Sequence, residues 1–263
     1  MRFARTYLPA FLLLHPAFPL LAQQPTPANQ TPQRDQQATA LLLRAVQAMG
    51  GIVPADSVAA GNIVIVAGSE TSAGTIRILT RGTDQSSEQI TLPQSTQTII
   101  YSRNTANEID SGNKTNFPLE KSVTSQSSCF PIPFLSSALA NSDESIQYIG
   151  SETLGQEQVQ HIRFWNTFAS QPRIRHIAEF SAIDIWLDAT STLPQRISFI
   201  RRDAGGASPK ITVDVYFSNY QNVGGLAYPF LIRQLLDGSP WITITISNVA
   251  FNTGLTDANF PVQ

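Results

Sequence analysis

The sequence predicts a mainly β protein with a few short helices: one strongly curved antiparallel sheet, nearly closed, with helices covering one face. Three observations predict it. From residue 62 onward, short β-branched runs repeat their apolar residues at every second position. Clusters of Gly, Ser, Asp, Asn and Pro break these runs at hairpin spacing, which gives about eleven strands. No strand–helix–strand alternation and no fixed-period repeat appears, so a doubly wound parallel sheet is not expected.

The elements follow in order. Arg2 and Arg5 precede an apolar run over 7–21 that ends Leu20-Leu21-Ala22, the layout of a secretory signal peptide. Cleavage after Ala22 leaves 241 residues with a net charge of −4. An uncleaved N-terminal membrane anchor is the alternative, and no Cys follows the run to accept a lipid. Residues 23–37 are Pro/Gln-rich and without apolar periodicity, which predicts a disordered linker ahead of a single domain over 38–263. Leu41, Leu42, Ala45, Val46 and Met49 fall on one face of a helix over 38–49, which Gly50-Gly51 stops. Strands are expected at 63–67, 75–80, 89–92 and 98–101; 104–128 reads as polar and irregular. A short buried helix over 131–140 begins on Pro131. A second β series is expected at 145–150, 157–165, 183–188, 195–201, 211–220, 227–236 and 241–251, with a longer connection at 166–180.

Composition excludes several function classes. The 263 residues are 42% hydrophobic and 14% charged, with a net charge of −2 that gives nucleic acid no basic footprint. One Cys and three His leave no disulfide framework and no multi-Cys metal site. There is no Gly-x-Ser-x-Gly elbow, no phosphate loop, no dinucleotide fingerprint and no His-Glu-x-x-His. No catalytic residue, metal ligand or cofactor is therefore nominated. Cys129 reads as a small buried hydrophobe. His161 reads as a structural strand histidine, and Trp165, Trp186 and Trp241 as packing.

Alternation assigns faces. Val213, Val215 and Phe217 oppose Asp214 and Tyr216; Ile183, Ile185 and Leu187 oppose Asp184, Trp186 and Asp188; Ile242, Ile244 and Ile246 oppose Thr243 and Thr245. An apolar concave sheet must be filled by its own side chains, by covering helices or by a ligand.

Several segments resemble the periplasmic outer-membrane lipoprotein-carrier (LolA-like) superfamily. The helix ending Ala45-Val-Gln-Ala-Met-Gly-Gly51 resembles its opening element, and 148–163 its central hairpin with a Gly-x-Glu turn. Ile185-Trp-Leu-Asp-Ala-Thr-Ser-Thr-Leu-Pro-Gln-Arg196 is similar to its acidic turn and Leu-Pro-x-Arg return. Tyr216 to Phe230 is similar to its aromatic hairpin, and 252–260 to its closing turn. The resemblance implies an unclosed half-barrel covered by helices and an exported, non-catalytic protein. Its partners would be lipid or lipoprotein acyl chains and an envelope membrane-protein donor or acceptor, with the chain acting as a monomer. No single ligand residue is carried over. Alternation nominates the inward apolar positions Ile76, Ile78, Ile90, Leu92, Ile185, Leu187, Ile197, Phe199, Val213, Val215, Phe230, Ile232, Ile244 and Ile246. The alternatives are an envelope sensor or interaction module on the same scaffold, and an exported hydrolase using His161, Glu152 or Asp188.

Overall fold

The structure, a computed structural model, describes residues 31–124, 129–201 and 210–262. The segment read as a signal peptide, and the linker up to residue 30, lie outside the described residues. Thirteen strands form one antiparallel sheet, in the order β6-β5-β4-β3-β2-β1-β13-β12-β11-β10-β9-β8-β7. The first wing holds β1 (Asp56–Ala67), β2 (Glu70–Arg81), β3 (Gln85–Leu92), β4 (Ser95–Ser102), β5 (Thr105–Asp110) and β6 (Asn113–Asn116). The second holds β7 (Glu144–Leu154), β8 (Glu157–Asn166), β9 (Ile183–Asp188), β10 (Pro194–Arg201), β11 (Ile211–Val223), β12 (Leu226–Leu236) and β13 (Ser239–Phe251). Each wing is a hairpin meander, and β1 pairs with β13 in the middle of the sheet. The edges are β6 and β7. The chain between them carries α2 (Leu119–Thr124) and α3 (Pro131–Ala140).

Thirteen strands replace the expected eleven because β5 and β6 form inside the stretch that reads as irregular. Their ten residues are polar except Ala106 and Ile109, with no apolar alternation to reveal them. Backbone pairing through turns at Arg103 (φ 56°) and Ser111-Gly112 (φ 49° and 88°) holds them instead. The 166–180 connection contains a 3-10 helix, Pro172–Ser181, whose Ile177 packs with Phe168 and with Val123 of α2. That contact links the chain beside one sheet edge to the chain beside the other.

Helix α1 (Gln36–Ala48) starts two residues before the expected 38. Asp35 caps it, its carboxylate accepting from the Ala38 N–H at 2.8 Å. The expected linker also ends early. The Asp35 N–H donates to the Ile146 carbonyl (2.9 Å), and the Ile146 N–H to the Gln33 carbonyl (2.8 Å), so residues 33–35 lie parallel to β7. At the other end the Ala227 N–H donates to the Met49 carbonyl at 3.0 Å. Gly50 follows at φ 118°, where a Cβ would sit 2.5 Å from a Leu226 methyl. Helix α1 is thus tied to β7 at one end and to β12 at the other. Its buried Leu41, Leu42 and Ala45 face the inner side of the sheet and α3.

The chain ends on the outer face of the first wing. Asp56, 4% exposed, accepts from the Thr253 N–H (2.6 Å) and hydroxyl (2.7 Å), the Gly254 N–H (2.9 Å) and the Leu255 N–H (3.1 Å). Burial works to raise its pKa, but these four hydrogen bonds outweigh it and hold the carboxyl below its ordinary range. They seat Phe260, Leu255 and Val262 against Leu79, Ile100 and Ile109 in a second, smaller core.

Candidate functional site

The inner face is built strand by strand from matched registers. Residues opposite each other in an antiparallel pair point to the same side. Ile185 pairs with Ile197 and Ile197 with Val215, so three nominated positions form one row across β9, β10 and β11. Phe199 pairs with Val213, Ile76 with Ile90, and Ile232 with Ile244, which in turn faces Ile63 of β1. All fourteen nominated positions fall in or against a single apolar cluster. Eleven are no more than 8% exposed; Leu92, Phe199 and Phe230 are half-buried at its margin.

Alternation identifies the face but not what covers it. Leu41, Leu42 and Met49 of the α1 segment join Phe130, Ile132, Phe134 and Leu135 of the α3 segment in the same cluster. Tyr228 and Phe251 complete it; Tyr228 stacks on Phe130 with ring centres 4.7 Å apart. Neither aromatic is among the nominated positions, although the spacing of Tyr228 from Phe230 and Ile232 on β12 carries the signal. Cys129 is buried in this cluster.

The outer face of the second wing carries the titratable groups. His161 lies 2.6 Å from Glu152 through Nδ1 and 2.8 Å from Asp184 through Nε2. Arg163 grips Asp184 with both Nε (3.0 Å) and an Nη (2.7 Å). The Trp186 indole donates to Glu152 at 2.9 Å and stacks on His161 at 4.3 Å. Arg196 lies 4.2 Å over the Trp186 ring and donates to Asp214 at 2.7 Å. Burial works to raise the pKa of Asp184; hydrogen bonds from His161 and Arg163, and their charge, outweigh it and hold the carboxyl below its usual range.

A general base needs a ring nitrogen within reach of substrate. Both nitrogens of His161 are engaged, so the cluster acts as a cross-strand network. Asp188, the third residue considered for hydrolysis, sits in the β9–β10 turn. It accepts from the Thr190 N–H (3.1 Å), the Ser191 N–H (2.6 Å) and the Ser191 hydroxyl (2.8 Å). Glu152 and His161 are brought together; Asp188 spends its carboxylate on its own turn. No group of three or more His, Cys, Asp or Glu among the described residues could hold a metal ion. No described helix is long and apolar enough to cross a membrane.

No protein-family profile matches the sequence, and no curated protein matches it. Solved structures do match. An outer membrane lipoprotein-sorting protein domain from Vibrio parahaemolyticus superposes with a TM-score of 0.57 at 11% identity, over 86% of this chain and 96% of that one. A LolA superfamily protein from Nitrosomonas europaea gives 0.56 at 15%, over 85% and 97%. A DUF1329 family protein from Desulfovibrio piger gives 0.56 at 12%, over 86% and 96%. At these identities the superpositions establish architecture alone. With thirteen antiparallel strands in one unclosed sheet and helices on its inner side, the chain has the LolA-like fold.

Proposed function

We propose that this chain is an exported periplasmic protein that binds and carries a lipid or lipoprotein acyl chain against its inner face, without catalysis. The observation that carries the reading is the cover of that face. Apolar residues run unbroken from Ile146 on β7 to Ile90 on β3, and side chains of the α1 and α3 segments lie over them. Helices can move off a sheet without breaking a single strand pair. An acyl chain taking their place would be bound by apolar burial, at about 25 cal/mol per Å2 removed from water. Exchange would be a two-state change of the helices, biased by a membrane-protein donor or acceptor. Two of the matched structures, a lipoprotein-sorting protein domain and a LolA superfamily protein, agree with this reading.

The test is native mass spectrometry of the protein purified from an envelope fraction, followed by lipid extraction. The expected spectrum shows a chain lacking residues 1–22 with a bound amphiphile of defined mass. A bare chain that also takes up no phospholipid or lipopeptide in vitro overturns the reading.

A further inference from the structure

On the inner face of β12, one polar atom has no packing role. Tyr228 is fully buried. Besides Phe130, its ring meets Phe230 edge-on at 6.4 Å and Phe251 at 6.3 Å. Its hydroxyl is buried and has no hydrogen-bond partner among the described residues. Buried tyrosine hydroxyls are normally paired, and an unpaired one costs about 1–3 kcal/mol. A phenylalanine would fill the same aromatic slot without that cost. Burial pushes the phenol pKa well above its ordinary value, so the group stays a neutral O–H donor.

A second inner-face group restricts what this donor can meet. Glu88 lies opposite Ile78 on β2 and Ile99 on β4, which places it on the same inner side of the sheet. Its carboxylate adds to the rise of the Tyr228 phenol pKa. A carboxylate within electrostatic reach opposes an anion at the Tyr228 hydroxyl and leaves an uncharged acceptor unopposed.

We propose that the Tyr228 hydroxyl is the polar anchor of the lipid site, donating a hydrogen bond to an uncharged ester or amide carbonyl of the bound acyl group. The proposal rests on the acyl-binding reading above and adds the ligand class: acyl esters and amides ahead of free fatty acids. Phe130, just ahead of α3, stacks on the ring, so the ligand reaches the hydroxyl when this segment moves aside.

The experiment uses the full chain and the fluorescent reporter N-phenyl-1-naphthylamine, which is apolar and has no carbonyl. Methyl decanoate and decanoate are the competitors. In the wild type, methyl decanoate should displace the reporter at lower concentration than decanoate. Tyr228→Phe should weaken methyl decanoate by about fivefold, one neutral hydrogen bond, with reporter affinity and thermal stability not reduced. Glu88→Gln should tighten decanoate and leave the ester unchanged. An unchanged ester affinity in Tyr228→Phe overturns the proposal. So does a parallel loss of stability, reporter and ester binding, which would make the hydroxyl structural. A wild type that binds neither reporter nor ester overturns the acyl-binding reading itself, and the anchor with it.

Discussion

The second wing and the far end of the first, β3–β5, pack their apolar residues on opposite faces. In β7–β11 the inner face is Ile146, Ile162, Ile185, Ile197 and Val215, while the outer face holds the Glu152–His161–Asp184–Arg163 network and the Arg196–Asp214 pair. In β3–β5 the inner face carries Ser86, Glu88, Gln97, Glu108 and Asp110 beside Ile90 and Ile99. Here the outer face, with Ile100 and Ile109, is the apolar one, packed under Phe260. Curvature alone therefore does not decide which side of a sheet becomes core. The covering segment does: helices inside the second wing, the C-terminal tail outside the first. An acyl chain that replaces the helices would meet isoleucine on one wing and carboxylates on the far end of the other.

The sharpest way to break this comparison is to place the same amide at one inner position of each wing. Ile185→Gln removes a fully buried side chain and leaves a polar group without partners; about 3–5 kcal/mol of stability should go. Ile99→Gln, half-buried between Glu88 and Glu108, should cost about 1 kcal/mol or less. Urea midpoints measure both, and equal losses would refute the asymmetry. Val215→Glu buries a carboxylate at a position with no exposure and should prevent folding altogether.

On the outer side, Asp56→Ala withdraws all four bonds from the tail and should cost about 3 kcal/mol. Limited proteolysis should then cut within 253–260 while lipid uptake by the second wing persists. A tail that stays protected would show that Phe260 and its apolar neighbours suffice to hold it.

Legibility follows the same divide. The helix over 38–49 and the seven C-terminal strands are visible because their apolar period survives, and alternation places Ile185, Ile197 and Val215 on one side before any pairing is known. Strands β5 and β6 are invisible because Thr105–Asp110 and Asn113–Asn116 hold only two apolar residues, Ala106 and Ile109, three positions apart and so out of strand period. The outer network needs the register: His161 faces Trp186 and Arg163 faces Asp184 only once β8 is aligned on β9. The Asp56 cradle joins residues 197 to 199 positions apart, beyond any local pattern. The orphaned Tyr228 hydroxyl has no sequence signature, since Tyr and Phe fill the same β12 slot.

A pH slope also separates the wings. Each wing begins on a buried acid, Asp56 in β1 and Glu144 in β7. Asp56 is surrounded by donors. Glu144, 7% exposed, accepts from the Asn141 amide at 3.3 Å and from no other side chain among the described residues. Burial pushes the Glu144 carboxyl up to about 8, with Asp143 adding to the rise and Arg34 and Asn141 opposing it. The signs are opposite. Glu144 is protonated in the folded chain and ionised in the unfolded one between about pH 4.5 and 8, so stability falls as pH rises through that window. The slope approaches about 1.4 kcal/mol per pH unit and flattens above 8. Asp56 stabilises above its unfolded value of 3.8, and that contribution is lost as pH falls through its lowered folded value. Glu144→Gln should abolish the neutral-range slope and leave the acid limb intact; Asp56→Asn should shrink the acid limb, which Asp184 and Asp188 share, and leave the neutral-range slope. Urea unfolding at pH 3, 5, 7 and 9 measures both limbs. A wild-type stability that is flat from pH 5 to 8 would show that Glu144 is ionised in place, with Arg34 near enough to compensate its burial.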